Sequence, residues 1–185
     1  ALGQISINEK QSIKQMIEDV QTYQGIPTED MRHMQQQLYQ LAIKIGMLNP
    51  VRIVSNRGLE KDFVFCSNIL QPFTQNDDIM DDVKVLLASI SFGEKYTEYS
   101  TIQHPSKFLR ALLNNDTVGP HSANLTDYIL LEKKGIVTVV EDSKTRWGCY
   151  GPYTRSGPCL KLIKKDVAQK SLEIIENADY VYNDS

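Results

Sequence analysis

The sequence is short of the features that mark several large protein classes. Its three cysteines, Cys66, Cys149 and Cys159, are too few, and odd in number, for a disulfide framework. They form no CxxC pair and no paired histidines accompany them, so a zinc site has little support. Cys149 and Cys159 flank one polar loop, which leaves a redox-sensing disulfide between them as an open cysteine chemistry; Cys66 sits in an apolar run and reads as core. No apolar stretch approaches the ~18–20 residues of a membrane span. Residues 1–20 also lack the basic start and apolar block of a signal peptide. The expectation is a soluble, cytoplasmic protein with no membrane partner.

Phosphate-binding fingerprints are missing as well. There is no Walker loop and no dinucleotide motif; Gly58, Gly148 and Gly151 read as turn glycines. The three histidines, His33, His104 and His121, are scattered, and no nucleophile–base arrangement follows from their spacing. The run Asp77-Asp78-Ile79-Met80-Asp81-Asp82 resembles the aspartate-rich metal motif of polyprenyl synthases. Such enzymes need a large helical bundle and a second aspartate-rich motif, and this chain has neither the length for the one nor the other motif. Carboxylates at a helix start are also what the macrodipole favours. The sequence therefore reads as a non-enzymatic protein without cofactor or metal.

What is present is enough apolar residue, 41% of 185, to bury a core. The net charge of −3 is unevenly spread. His104 to Lys170 carries eleven Lys and Arg against six Asp and Glu, whereas residues 1–103 carry nine against thirteen. A basic segment between acidic flanks suits either a local polyanion-binding face or an unevenly charged solvated surface.

Apolar periodicity predicts a first helix from about Asn8 to Tyr23, with Ile13, Met16, Ile17 and Val20 on one stripe and Gly25 and Pro27 as its stop. Thr28 reads as the N-cap of a second helix, about Glu29 to Leu48. There Met31, Met34, Leu38, Leu41, Ile45 and Leu48 form an a/d seam of some two and a half heptads, fitting either a dimer contact or packing within the chain on the unit formed by its second part. Asn49-Pro50 ends it. Val51–Ser55 and Asp62–Ser67 then predict a hairpin around Asn56-Arg57-Gly58. Gln71-Pro72 and Thr74-Gln75-Asn76 mark a linker, which divides the chain into residues 1–75, a helical extension plus β-hairpin, and residues 76–185.

In the second part, Asn76 or Asp77 caps a helix bearing Ile79, Val83, Leu86, Leu87 and Ile90, closed by Phe92-Gly93. Lys95–Gln103 reads as a weak strand. His104-Pro105 opens a helix burying Phe108, Leu109, Leu112 and Leu113. After the Val118-Gly119-Pro120 turn, a third helix is expected over His121–Lys134, with Ser122 as cap and Gly135 at C′. Strands Ile136–Val140 and Cys159–Ile163 follow, separated by a long polar, glycine-rich loop. A last helix covers Asp166–Ala178.

This order, together with Leu130-Leu131-Glu132-Lys133-Lys134-Gly135-Ile136-Val137, resembles the end of the recognition helix and the first wing strand in bacterial winged helix-turn-helix regulators. The resemblance covers somewhat over half of the chain. It implies an α+β, mainly α fold and a dimeric transcriptional regulator of double-stranded DNA, with the third helix in the major groove and the wing on the backbone. The residues it nominates are His121, Ser122, Asn124 and Thr126 on the third helix, and Lys144, Arg146, Trp147 and Arg155 on the wing. Winged helices also serve as protein-interaction modules, a reading that the acidic total charge fits equally well. A further alternative for the wing loop is that Trp147, Tyr150 and Tyr153 pack it against the body, leaving its bases as ordinary solvated charges.

Overall fold

The computed structural model describes residues 6–32, 34–67, 77–97, 101–114 and 117–183. The Gln71–Asn76 linker and His33 lie outside them. The described chain is α+β, roughly half helical, with seven α-helices and two small antiparallel sheets.

Helix α1 (Ile7–Thr22) starts at a reciprocal capping box: Ser6 Oγ accepts from Glu9 N (3.2 Å), and the Glu9 carboxylate accepts from Ser6 N (2.7 Å). Ile13, Met16 and Val20 are its buried stripe. Gly25, at φ +79°, turns the chain into the short strand β1 (Ile26–Pro27).

The predicted second helix is not continuous. Thr28–Asp30 form a single 3₁₀ turn, and α2 spans only Gln36–Lys44. The Thr28 hydroxyl does not cap; it donates to the Asp62 carbonyl (2.8 Å). Glu29 and Asp30 are held by Lys61 and Lys95, anchoring the turn to other elements. Gly46, at φ +75°, closes α2, and Leu48 already begins strand β2. The a/d seam is thus divided: Met31 and Leu38 pack inward against α1, while Leu48 belongs to a sheet. The buried part of the seam packs within the chain, against α1 and β3 and not against the C-terminal core.

Strands β2 (Leu48–Val54) and β3 (Glu60–Cys66) form the expected hairpin, its turn at Asn56-Arg57-Gly58, in a sheet ordered β1-β3-β2. Pro50, expected to end a helix, lies inside β2, which is tolerated because β2 is an edge strand. β3 alternates across the sheet: Phe63 and Phe65 join the core around α3 (Asp77–Lys95), and Val64 and Cys66 join that around α1 and α2. One strand therefore serves two cores. Each fully buried large apolar side chain contributes roughly 1.5–3 kcal/mol, so the hairpin assigned by sequence to the N-terminal unit also holds the C-terminal one.

Gly93 lies within α3 and does not close it. A Cβ there would sit 2.5 Å from the Tyr128 hydroxyl and 2.6 Å from Ile102 Cδ1, so glycine is required for close packing. The strand expected over Lys95–Gln103 is not formed: Lys95 is helical, and the described residues 96–97 and 101–103 are not strand. Helix α4 (Pro105–Asn114) follows as predicted. Helix α7 (Lys165–Asn183) packs on α3 and α4, with Arg110 to Glu176 (2.6 Å) and Lys164 to Asp82 (2.5 Å) as polar ties. Among the described residues no helix is long and apolar enough to cross a membrane.

Candidate functional site

The residues nominated by sequence lie on two elements, and the first departs from expectation. Instead of one helix over His121–Lys134 there are two short ones, α5 (Ala123–Thr126) and α6 (Ile129–Lys133). In a continuous helix the Thr126 carbonyl would accept from residue 130. It is taken instead by the Asn56 backbone N–H (2.9 Å), and the Asn56 side-chain amide donates to the Leu125 carbonyl (3.4 Å). Next to this break, Asp127 has a side chain only 2% exposed and pairs with Arg57 at 3.1 Å. The β2–β3 turn thus clamps the junction of the two short helices. Below it Tyr128 is buried beside Phe108, and burial, reinforced by the Asp127 charge, pushes its hydroxyl pKa well above the usual tyrosine value.

This arrangement redistributes the nominated residues. Asn124 is 6% exposed, and its amide donates to the carbonyls of Val118 (3.2 Å) and Pro158 (2.9 Å). It is a structural clasp between α5 and the second sheet, turned away from solvent. Ser122 is exposed but makes no capping bond; the cap-like contact comes from His121 Nδ1, which accepts from Ala123 N at 3.1 Å. The Thr126 hydroxyl is spent on the Ala123 carbonyl (3.5 Å). Gly135 takes φ +65° just beyond α6, the expected C′ geometry.

The second element is larger than the sequence suggested. The polar stretch between the two short predicted strands is itself strand, and β4 (Val137–Gly148) and β5 (Gly151–Leu162) form one hairpin of twelve paired positions closed by Cys149-Tyr150. Its root is fixed: Val137, Leu160 and Leu162 enter the core, and Val118 exchanges two hydrogen bonds with Leu160 (both 2.8 Å) on the outer edge of β5. Beyond Val140 and Cys159 no residue is buried. The pairs from Glu141–Pro158 to Lys144–Arg155 still lean on the turn around Thr117–His121; the last four, roughly 13 Å of ribbon, project beyond it.

Alternation gives this ribbon two unlike faces. On one, Ser143 faces Ser156 (2.7 Å) and Thr145 faces Thr154 (2.9 Å), an uncharged hydroxyl ladder that ends in Trp147 opposite Pro152. On the other, Lys144 faces Arg155 and Arg146 faces Tyr153. Gly148 leaves room for the Tyr153 ring, which lies 3.2 Å from the position of a Cβ there, and the Arg155 guanidinium stands over the same ring at 5.8 Å. Among the described residues Arg146 and Arg155 form no ion pair.

The root of the cationic face abuts the turn that leads to α5. The Lys144 ammonium donates to the Thr117 carbonyl, and the Thr117 hydroxyl donates to Asp142 (2.6 Å). That bond, the Ser143 backbone N–H and the nearby Lys144 charge hold the Asp142 carboxyl below the usual carboxylate range. His121 and Ser122 follow within a few residues, so one side of the molecule carries the short helices and the basic ribbon together. The alternative that the aromatics pack against the body does not hold: Trp147 is 83% exposed, Tyr150 fully exposed and Tyr153 substantially so.

The remaining chemical candidates resolve simply. Asp81 pairs with Lys84 and Asp82 with Lys164, and no cluster among the described residues has the make-up of a metal site. Cys149 is exposed at the ribbon tip and Cys159 buried at its root, a strand length apart, so the disulfide between them is not formed. Cys66 is buried, and burial pushes its thiol pKa up to about 11. A cavity of about 520 Å³ lies between the end of α1, α3, the start of α4 and α7, with Leu87, Ile90, Ile174 and Ile175 in its lining; none of the nominated residues borders it. Compared with protein families, characterised proteins and solved structures, the chain has no significant match.

Proposed function

We propose that the protein binds duplex DNA in the manner of a winged-helix protein, with the β4–β5 hairpin as its wing and principal contact. The observation that carries this reading is the projecting ribbon whose one face bears Arg146 and Arg155, neither in an ion pair among the described residues, with Lys144 behind them beside Asp142, although the whole chain is acidic. Phosphate oxygens are the natural partners of such a face, and ion release makes the interaction salt-dependent. α5 and α6 sit beside the ribbon root, and the turn leading into α5 supplies His121 and Ser122 as secondary contacts. With Asn124 and Asp127 engaged internally, the third-helix region offers few donors to base edges. The binding proposed here is therefore dominated by backbone contact.

The test is fluorescence anisotropy with a labelled duplex over a salt series. Arg146→Ala and Arg155→Ala should each weaken binding similarly for unrelated sequences and lower the slope of log K against log salt by roughly one. Absence of binding to any duplex at low salt would overturn the proposal. It would favour a protein-interaction module using the exposed Trp147 and Tyr150 at the ribbon tip.

A further inference from the structure

Resting on the DNA reading above, we infer that the ribbon tip stacks on unpaired nucleobases, so that the preferred ligand is a duplex interrupted by displaced bases rather than uniform B-form DNA. The phosphate-binding face needs no aromatic tip to follow a regular backbone, yet the tip holds two large rings almost free of neighbours. Trp147 is 83% exposed and Tyr150 fully exposed, and Gly148 and Gly151 on either side of the turn carry no side chain to cover them. Within regular duplex DNA each base is covered on both faces by its neighbours, which leaves no ring for a protein aromatic to meet. Displaced bases expose that surface, and stacking on it is tolerant of base identity.

The register sets the distance between rings and charges. Arg146 is adjacent to Trp147 in the strand but on the opposite face of the ribbon, and the Lys144–Arg155 pair, on the Arg146 face, lies three residue pairs behind Trp147, roughly 10 Å along the ribbon. A strand whose displaced base stacks on Trp147 therefore bends over the ribbon end for its phosphates to meet those cations, a path that unpaired residues can take and a regular duplex cannot. The two-residue turn and the Ser143–Ser156 and Thr145–Thr154 bonds keep rings and cations on one paired ribbon. The hydroxyl face beside Trp147 adds no charge of either sign to the approach of a base.

Trp147 is the only tryptophan in the chain, so its emission reports on the tip alone. The experiment compares a short duplex with the same duplex carrying a central run of unpaired adenines. Affinity is read by anisotropy of labelled DNA, and Trp147 emission with unlabelled DNA. The interrupted duplex should bind roughly fivefold or more tightly and quench Trp147 strongly, the fully paired one weakly. Trp147→Ala should bring the interrupted duplex down to the affinity of the paired one, and Trp147→Phe should keep much of the preference. Thermal melting of both variants checks that they fold. Equal affinity for the two DNAs, or Trp147 emission unchanged by the interrupted one, overturns the inference while DNA binding stands. No binding to either at low salt overturns both.

Discussion

Replacing Asn124 by alanine removes a side chain that a winged-helix reading of the sequence would assign to base contact and that the structure gives to the protein interior. Its amide donates to the Val118 and Pro158 carbonyls, at 3.2 and 2.9 Å. Neither acceptor would be orphaned by the change. Val118 O still receives Leu160 N–H at 2.8 Å, and Pro158 O still receives His121 N–H at 3.0 Å. The loss is therefore two hydrogen bonds without the added penalty of a stranded polar group, about 2 kcal/mol in all. For a chain of this size that lowers Tm by roughly 4–8 °C. Asn124→Asp should be worse than alanine, because it turns a carboxylate oxygen toward two carbonyl oxygens. Urea unfolding followed by far-UV circular dichroism measures both variants. DNA affinity should fall in parallel for all sequences, because the clasp positions the ribbon root and touches no base. Asn124→Ala within about 0.5 kcal/mol of wild type, or Asn124→Asp as stable as Asn124→Ala, would refute the reasoning.

Three further outcomes follow from the packing. Arg57→Met leaves the buried Asp127 carboxylate without this partner and should cost about 3 kcal/mol. The double variant Arg57→Met/Asp127→Asn should recover at least half of that in a urea double-mutant cycle. Gly93→Ala should destabilise by roughly 1–3 kcal/mol despite alanine's better helix propensity, since its Cβ meets Tyr128 and Ile102. Tyr128→Phe, which removes the hydroxyl at 2.5 Å, should relieve part of the loss when combined with it. Finally, hydrogen bonds from Lys61 to Glu29, from Arg52 to Asp62 and from Thr117 to Asp142 hold these carboxyls below their ordinary values. Their stabilisation is complete above the unfolded carboxylate range, about pH 4, and is lost as pH falls through the lower folded values. The urea midpoint should therefore be flat from neutrality to about pH 5 and drop below pH 4, and Asp62→Asn should shallow that drop.

The elements legible from sequence are those that bury one side. α1, α3, α4 and α7 each press an apolar stripe into a core, and β2–β3 bracket a turn whose residues suit it, so periodicity located all of them to within a few positions. Where two structures satisfy the same spacing, the pattern misled. Met31, Leu38 and Leu48 are spaced as a heptad seam, but each is buried for a different reason: in the bend after the 3₁₀ turn, in α2, and in β2. Only Gly46, with its φ of +75°, marked the place where the helix gave way to strand. Phe92-Gly93 read as a stop because glycine usually weakens a helix. Here its missing side chain makes room for Tyr128, a contact thirty-five positions away in sequence.

The ribbon and the broken third helix were illegible for opposite reasons. β4–β5 projects into solvent, so neither face is selected for apolar residues and no period of two appears between Glu141 and Pro158. Its signal is a mirror in the residue types: Ser143-Lys144-Thr145 on one arm answers Thr154-Arg155-Ser156 on the other, about Cys149-Tyr150, with Gly148 facing Gly151. Cross-strand pairs are the unit of sheet stability, so a near-palindrome of β-forming residues around a two-residue turn is what a free-standing hairpin requires. The third helix failed the other way. Residues 121–134 have helical spacing, but Asn56 and Arg57, some seventy positions earlier, take the carbonyls and the carboxylate at its midpoint. Local pattern cannot register a competitor that arrives through the fold. The same competition moves Asn124 and Asp127 from a prospective binding surface into the interior. Among the residues nominated for contact, Ser122, Arg146, Trp147 and Arg155 keep their side chains toward solvent, three of them on the ribbon, which is why the binding proposed above is assigned chiefly to it.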